Sequence, residues 1–356
     1  MRILAINPGS TSTKIAVFYN VEDIFTKTLR HSVEELAEFP KIIDQYEFRK
    51  RMIMNSLEYA SIPLDSLDAI VGRGGLIKPI PGGVYRVNDL MIEDIRKEIL
   101  GEHASNLGAI LAKELAEESG KKIGAFIVDP VVVDEMDELA RFSGHPELPR
   151  ISIFHALNQK AVARRYAREK KLDYNKLNLI VVHLGGGITV GVHKKGRVID
   201  VNNGLDGDGP FSVERTGSLP VGALVRLCFS EKYQINELRK MITGKGGLVA
   251  YLKTNNAFEI EERIKSGDKY AETVYKAMAY QISKEIGACS TVLNGDVDAI
   301  LITGGLANSY MLVSWIKERT SFIAPIYVYP GEDETKALAE GVYYALTGEI
   351  PIYEYN

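Results

Sequence analysis

Two stretches carry residue types suited to holding an anion. In Asn7-Pro-Gly-Ser-Thr-Ser-Thr-Lys14, Gly9 lets the backbone approach a phosphate closely, Ser10, Thr11, Ser12 and Thr13 offer hydroxyl donors, and Lys14 adds a positive charge. The apolar runs on either side, within 3–18, read as buried strands, so these eight residues form a hairpin tip. It is not the P-loop of Walker-type ATPases, which needs a second glycine before its lysine and a helix after it. Farther on, 179–184, then Gly185-Gly186-Gly187, then 188–192 repeat the order strand, small turn, strand, with His183 just ahead of the glycines. Both copies lead into a third strand-like segment, at 23–29 and 197–201. The repetition predicts two domains of like topology, each offering one hairpin to a shared ligand, and a phosphate held between two hairpins suits a nucleotide.

Further candidates stand at the ends of predicted elements. A strand over 67–72 runs into Arg73, followed by Gly74 and Gly75, where an arginine can project its fork into a cleft or lie on a surface loop. Arg215, within 214–218, is a second arginine placed just before an element. The strand 123–128 ends in Asp129, the usual position of an α/β active-site carboxylate and equally that of a turn or cap residue. A short strand over 151–154 ends in Phe154, and His155 opens the helix 156–170, its ring facing a cleft or solvent. Strand 298–303, Gly304-Gly305, and a helix over 310–318 capped by Asn308 or Ser309 make a turn that can take a nucleotide's phosphate or ribose end. If Lys14, Arg73, His155, His183 and Arg215 converge, they form a cationic cleft suited to phosphoryl transfer. A hydroxyl acceptor would need a base such as Asp129, whereas a carboxylate needs none. The cationic pocket favours the carboxylate.

The remaining elements must position these groups. Helices are predicted within 31–61 and over 88–99, 105–119, 219–229, 269–293 and 336–346, strands over 84–87 and 326–329, and a long flexible loop over 202–209. Two prolines in 144–149 mark the expected domain junction, giving domains 1–148 and 149–335 with the last helix, 336–356, packing back on the first. A chain of 356 residues supports two full cores, and 46% hydrophobic with 25% charged residues is ordinary for a globular protein. A net charge of −4 gives no general attraction to nucleic acid or acidic membranes. Cys228 and Cys289 lack metal-type spacing, and no apolar run is long enough to span a membrane, so a cytoplasmic protein is the expectation.

Taken together, Asn7-Pro-Gly-Ser-Thr-Ser-Thr-Lys14, His183-Leu-Gly-Gly-Gly187, Arg215-Thr-Gly-Ser218 and Gly304-Gly-Leu-Ala-Asn308 resemble the acetokinase family, in the same order over essentially the whole chain. The resemblance implies an α/β fold of two duplicated ribonuclease H-like, actin-like ATPase domains with five-stranded cores and a nucleotide cleft between them. It implies reversible, magnesium-dependent phosphoryl transfer between ATP and a short-chain carboxylate, giving ADP and an acyl phosphate. By the same resemblance Asn7 and Glu334 belong to the magnesium and phosphate environment, and Arg73 and Arg215 grip the carboxylate and the transferring group. His155 stabilises the transition state, Asp129 organises metal and water, and Gly304, Gly305 and Asn308 hold the nucleotide. His103 resembles a further cleft histidine, and a homo-oligomer, at least a dimer, is implied. Where acetate kinases have valines after the first arginine, Gly74 and Gly75 are expected to leave room for a longer acyl chain, each buried methylene contributing about 0.8 kcal/mol. Butyrate is the expected acceptor, with isobutyrate, propionate and acetate as alternatives. An actin- or Hsp70-like switch and a sugar kinase with Asp129 or Asp206 as base are the competing readings.

Overall fold

The computed structural model describes residues 1–356, which divide into one unit of Met1–Val133 with Asp333–Asn356 and a second of Asp134–Glu332. The division falls ahead of the proline-bearing 144–149 segment, which lies inside the second unit.

In the first unit, β1 (Arg2–Pro8), β2 (Ser12–Tyr19), β3 (Glu22–Arg30), β4 (Ala69–Arg73), β5 (Val84–Arg86) and β6 (Gly124–Val128) share a sheet with the C-terminal strand Ile352–Glu354. Its order is C-terminal strand, β5, β6, β4, β1, β2, β3. Strands β1, β4 and β6 are parallel, and β2 and β3 return antiparallel. Ile3, Leu4, Ala5 and Ile6 are all fully buried, the unbroken apolar run of a central strand covered on both faces. The helices Asn106–Glu118 and Glu334–Leu346 pack against it. Strand β3 lies at the edge, mostly exposed and charged, which discourages pairing with another sheet.

The second unit repeats the pattern with β7 (Asn178–Leu184), β8 (Ile188–Lys194), β9 (Arg197–Val201), β10 (Ala299–Gly304) and β11 (Ile326–Pro330), ordered β11, β10, β7, β8, β9. This matches β6, β4, β1, β2, β3 strand for strand, down to a register shift between second and third strands at Val17/Phe18 and at Val192/His193. Residues alternate between two cores. Leu179, Val181 and Leu301 meet the helix Ala156–Lys170, while Ile180, Val182, Ile300 and Ile302 join the core of the long helix Lys269–Val292.

Four expectations change. The first sheet has seven strands rather than five, because β5 and the C-terminal strand extend it beyond β6. The first hairpin tip is shorter than eight residues, since Asn7 pairs with Lys14 and Pro8 with Thr13, leaving Gly9, Ser10 and Thr11 as the turn. Residues 151–154 form no strand; Ile151 is exposed and the segment joins no ladder. The 202–209 loop is pinned rather than loose, as Asn202 accepts from Val190 N at 2.7 Å and donates to Ile188 O at 3.0 Å. No helix is long and apolar enough to cross a membrane.

Candidate active site

The first unit gathers Asn7, Arg73 and Glu334. Asn7 ends the inner part of β1, Arg73 ends β4 beside it, and Glu334 opens the helix Glu334–Leu346. Arg73 Nη1 donates to Glu334 Oε2 at 2.8 Å and to Asn7 Oδ1 at 3.2 Å, and Asn7 Nδ2 donates to the same carboxylate oxygen at 2.6 Å. Arg73 makes no hydrogen bond through Nη2 or Nε, so the second edge of its fork is left for an anion. Glu334 Oε1 likewise has no partner. A carboxylate oxygen and an amide oxygen fit magnesium, which prefers hard oxygen donors and completes its shell with water and phosphate oxygens rather than an all-protein cage.

Beneath the hairpin tip lies a group that sequence reasoning missed. Arg49, on the helix Tyr46–Tyr59, is fully buried. Its Nη1 donates to Gly9 O at 2.8 Å, Ser12 O at 3.1 Å and Thr13 Oγ1 at 3.0 Å, and Nη2 to Ser10 O at 3.1 Å. No carboxylate pairs with it. Burial pushes its pKa down to about 10, which leaves it charged at neutral pH. Its signal was available, because Arg49 falls on the same helical stripe as Tyr46, Ile53 and Leu57, where a charge is anomalous. Lys14, by contrast, sits on β2 rather than in the turn, 3.8 Å from Asp333.

Asp129 follows β6 with its side chain buried and φ at +38°, a left-handed conformation that aspartate adopts more readily than most non-glycine residues. Its backbone N–H donates to Gly83 O at 3.0 Å. His103 Nδ1 lies 2.8 Å from Ser105 Oγ, and desolvation, then the charge of Arg73, lowers its pKa. Gly74 and Gly75 do not enlarge a pocket. Both are buried, and a Cβ would fall 2.5 Å from Pro130 Cβ at Gly74 and 2.6 Å from Asn106 Cα at Gly75, so the space is filled by the chain itself.

The second unit gathers His155, His183 and Arg215. His155, half-buried at the start of the helix Ala156–Lys170, stacks on His183 with ring centroids 3.7 Å apart and planes 8° from parallel. His183 Nδ1 lies 2.8 Å from Asn158 Oδ1, and Nε2 3.1 Å from Glu332 Oε1, both partners absent from the sequence reading. Arg215 crosses the second hairpin tip: Nη1 donates to Gly204 O, and a Cβ at Gly187 would lie 2.0 Å from it. Burial lowers the pKa of Arg215, with Glu214 opposing. No carboxylate pairs with its guanidinium. Gly185 and Gly187 are buried and Gly186 is exposed, its carbonyl accepting from Ser212 Oγ. Gly304 turns at φ +89°, Gly305 N donates to Glu332 Oε1 at 3.4 Å, and Asn308 Nδ2 donates to Gly305 O at 3.0 Å. Ser309, not Asn308, caps the following helix. Phe154 is buried beside His155 in sequence.

Each unit thus presents a short hairpin tip and an arginine with donors to spare, Arg73 paired to Glu334 through Nη1 alone and Arg215 paired to no carboxylate, an arrangement for anions. Comparison with known proteins gives the same direction. Residues 150–322 match the acetokinase family. Over 355 residues, covering 100% of this chain and 99% of the relative, the sequence is 56% identical to butyrate kinase 2 of Clostridium acetobutylicum.

The chain belongs to the acetokinase family.

As an acetokinase family member it is an enzyme, a carboxylate kinase that uses ATP as co-substrate. It is also 55% identical to butyrate kinase 1 of the same organism, over 100% of this chain and 99% of that one. In fold, the crystal structure of Porphyromonas gingivalis acetate kinase matches with a TM-score of 0.79 at 19% identity, covering 96% of this chain and 98% of the other. The acetokinase family fold of two actin-like domains is therefore the architecture in which these two residue sets stand.

Proposed function

We propose that this enzyme transfers the γ-phosphoryl group of ATP reversibly to butyrate, forming butyryl phosphate and ADP. The observation that carries the acceptor is the 56% identity to butyrate kinase 2 across the whole chain. The glycines after Arg73 give no support for acyl length, since Pro130 and Asn106 occupy the space beside them.

The mechanism is direct in-line displacement. A butyrate carboxylate oxygen forms the new bond to the γ-phosphorus while the bond to the bridging oxygen breaks, and ADP leaves with that electron pair. The acceptor is already ionised, so no base is needed. Arg73, through its unused Nη2 and Nε, and Arg215 offset charge on the carboxylate and the equatorial oxygens. His155 donates a hydrogen bond to the transferring group, and His183 with Glu332 holds its ring in place from behind. Ser10, Thr11 and Ser12, with Gly186 and Gly187, supply donors to phosphates on tips closed by Gly9 N to Ser12 O and Gly185 N to Gly187 O, and Gly304, Gly305 and Asn308 take the nucleotide. Asn7 and Glu334 are the residues that would hold a magnesium ion, with Asp129 just past β6 of the same sheet, and such an ion would supply charge neutralisation on the phosphates. We place the enzyme in the cytoplasm, in keeping with its two free cysteines.

A homodimer is part of this reading. The helix Val221–Cys228 buries none of its residues although Val221 and Val225 are apolar, and Leu219, Phe229 and Ile235 are exposed around it. Apolar helices left bare in this way mark an interaction face. Phe229→Glu is expected to yield monomers by light scattering.

The test of function is a hydroxamate assay of acyl phosphate with ATP and magnesium across acetate, propionate, butyrate, isobutyrate and valerate. The expected result is a kcat/KM maximum at butyrate. A maximum at acetate would overturn the acceptor, and no product with any acid would overturn the chemistry.

A further inference from the structure

Behind His155 runs a line of polar side chains that the transfer reaction does not itself require. Thr189, Gly191 and His193 alternate along β8 and so share one face. The gap at Gly191 admits Gln159 from the helix Ala156–Lys170; a Cβ there would lie 2.2 Å from Gln159 Oε1. Four contacts link these groups: Tyr174 Oη to His193 Nδ1 at 2.8 Å, His193 Nε2 to Gln159 Oε1 at 3.1 Å, Gln159 Nε2 to Thr189 Oγ1 at 2.9 Å, and Thr189 Oγ1 to His155 Nδ1 at 2.9 Å.

We infer that Tyr174, His193, Gln159 and Thr189 form a one-directional hydrogen-bond chain that fixes His155 as the tautomer carrying its proton on Nε2, with Nδ1 accepting.

One backbone group sets the direction from His193 to Thr189. Gln159 Nε2 also faces Thr189 O at 3.1 Å, and a carbonyl only accepts, so the amide nitrogen must be on that side and Oε1 must face His193. His193 therefore donates from Nε2. The ring is fully buried, and burial, with Lys160 and Arg164 adding to it, lowers its pKa well below the usual histidine range, so it is neutral and its Nδ1 accepts from the Tyr174 hydroxyl. At the other end, Thr189 Oγ1 accepts from Gln159 Nε2, and the proposed chain assigns its one proton to the 2.9 Å contact with His155 Nδ1. His155 is then left with its own proton on Nε2. Thr189, Gln159 and His193 are positioning residues, acting on the reaction through His155.

Unlike a simple packing layer, such a chain specifies a tautomer. Without it, a neutral histidine could place its proton on Nδ1 and present a lone pair to the phosphoryl oxygens, repelling the charge it should stabilise. The inference rests on the proposed role of His155, but the position of the proton can be read without turnover.

The experiment is nitrogen NMR of the full-length protein labelled with 15N-histidine, with kinetics of Thr189→Val and Thr189→Ser. The wild-type spectrum is expected to show His155 Nδ1 as a pyridine-type and Nε2 as a pyrrole-type nitrogen. Thr189→Val is expected to move the proton wholly or partly to Nδ1 and to lower kcat by about tenfold or more, with both KM values little changed. Thr189→Ser should restore both. A wild-type His155 protonated on Nδ1 would overturn the chain, whether or not the variants fold. So would a folded Thr189→Val protein keeping the Nε2–H tautomer and full kcat. Undiminished kcat in His155→Ala would instead overturn the catalytic role of His155 and leave the tautomer result standing.

Discussion

The Arg49 guanidinium donates to Gly9 O at 2.8 Å and to Ser10 O at 3.1 Å, so a buried cation fastens the first hairpin tip from below. The turn is closed by Gly9 N donating to Ser12 O at 2.7 Å, and with its carbonyls held by Arg49 the hydroxyls of Ser10, Thr11 and Ser12 can serve a phosphate. Arg49 also adds positive potential under that phosphate, in a setting where solvent screening is weak. Arg49→Lys keeps the charge but loses the fork, which must reach acceptors on Gly9, Ser10, Ser12 and Thr13 together. The expected outcome is a lower Tm and a KM for ATP raised about tenfold, equivalent to about 1.4 kcal/mol, with KM for the acid little changed. Initial-rate kinetics with each substrate varied in turn measure both values.

Gly187 and Arg215 lead to a second prediction. An alanine Cβ at Gly187 would stand 2.0 Å from Nη1 and 2.6 Å from Cζ of Arg215, so the guanidinium has to swing away and release Gly204 O. The displaced group is the far end of a flexible side chain, so the cost in stability is small, under about 1 kcal/mol. Activity is different, because a displaced arginine no longer meets the transferring group. Gly187→Ala is expected to lose about 100-fold in kcat, approaching Arg215→Ala, with nearly native thermal unfolding. Parallel kcat and Tm measurements on the two variants decide it.

What the sequence discloses depends on whether a residue's role is local. Both hairpins were legible because strand, turn and strand are contiguous, and Arg73, Asp129 and His155 were visible because each ends or opens an element. Glu332, Asn158 and Thr189 were not, since their partners His183 and His155 reach them only through the folded sheet and helix. The C-terminal strand was missed because three residues, Ile352–Glu354, give no pattern of their own and are made a strand by β5. The acyl pocket was misread for a related reason. A glycine shows that a side chain is absent, not whether cavity or packed chain replaces it.

Gly74 and Gly75 are therefore expected to answer to stability rather than to substrate. At Gly75 a Cβ would meet Asn106 Cα at 2.6 Å and Asn106 N at 2.9 Å, backbone atoms that move only with their helix. At Gly74 it would meet Pro130 Cβ at 2.5 Å. Overpacking of this kind costs about 1–3 kcal/mol. Gly75→Ala should lower Tm by several degrees while the ranking of acids from acetate to valerate stays as in the parent enzyme. A shift of that ranking toward acetate, with Tm unchanged, would restore the glycines to the substrate pocket.

His31 predicts the response to acid. It is buried beside Arg49, its Nε2 2.9 Å from Thr13 Oγ1, and Phe48 meets its ring edge at a centroid distance of 5.3 Å. Burial first and the Arg49 charge second lower its pKa from 6.5 to about 4, with Glu35 opposing. The folded state thus binds a proton on His31 more weakly than the unfolded chain does. Between those two values the unfolded chain carries more protons, so acid draws the equilibrium toward unfolding. The contribution is fully present above pH 6.5 and is lost as pH falls through the folded value near 4. Buried, neutral His193 acts in the same direction. Urea unfolding at neutral pH and at about pH 5 should show a falling midpoint, with a shallower fall in His31→Gln, which cannot take up the proton. An equal fall in both proteins would assign the acid sensitivity to other groups.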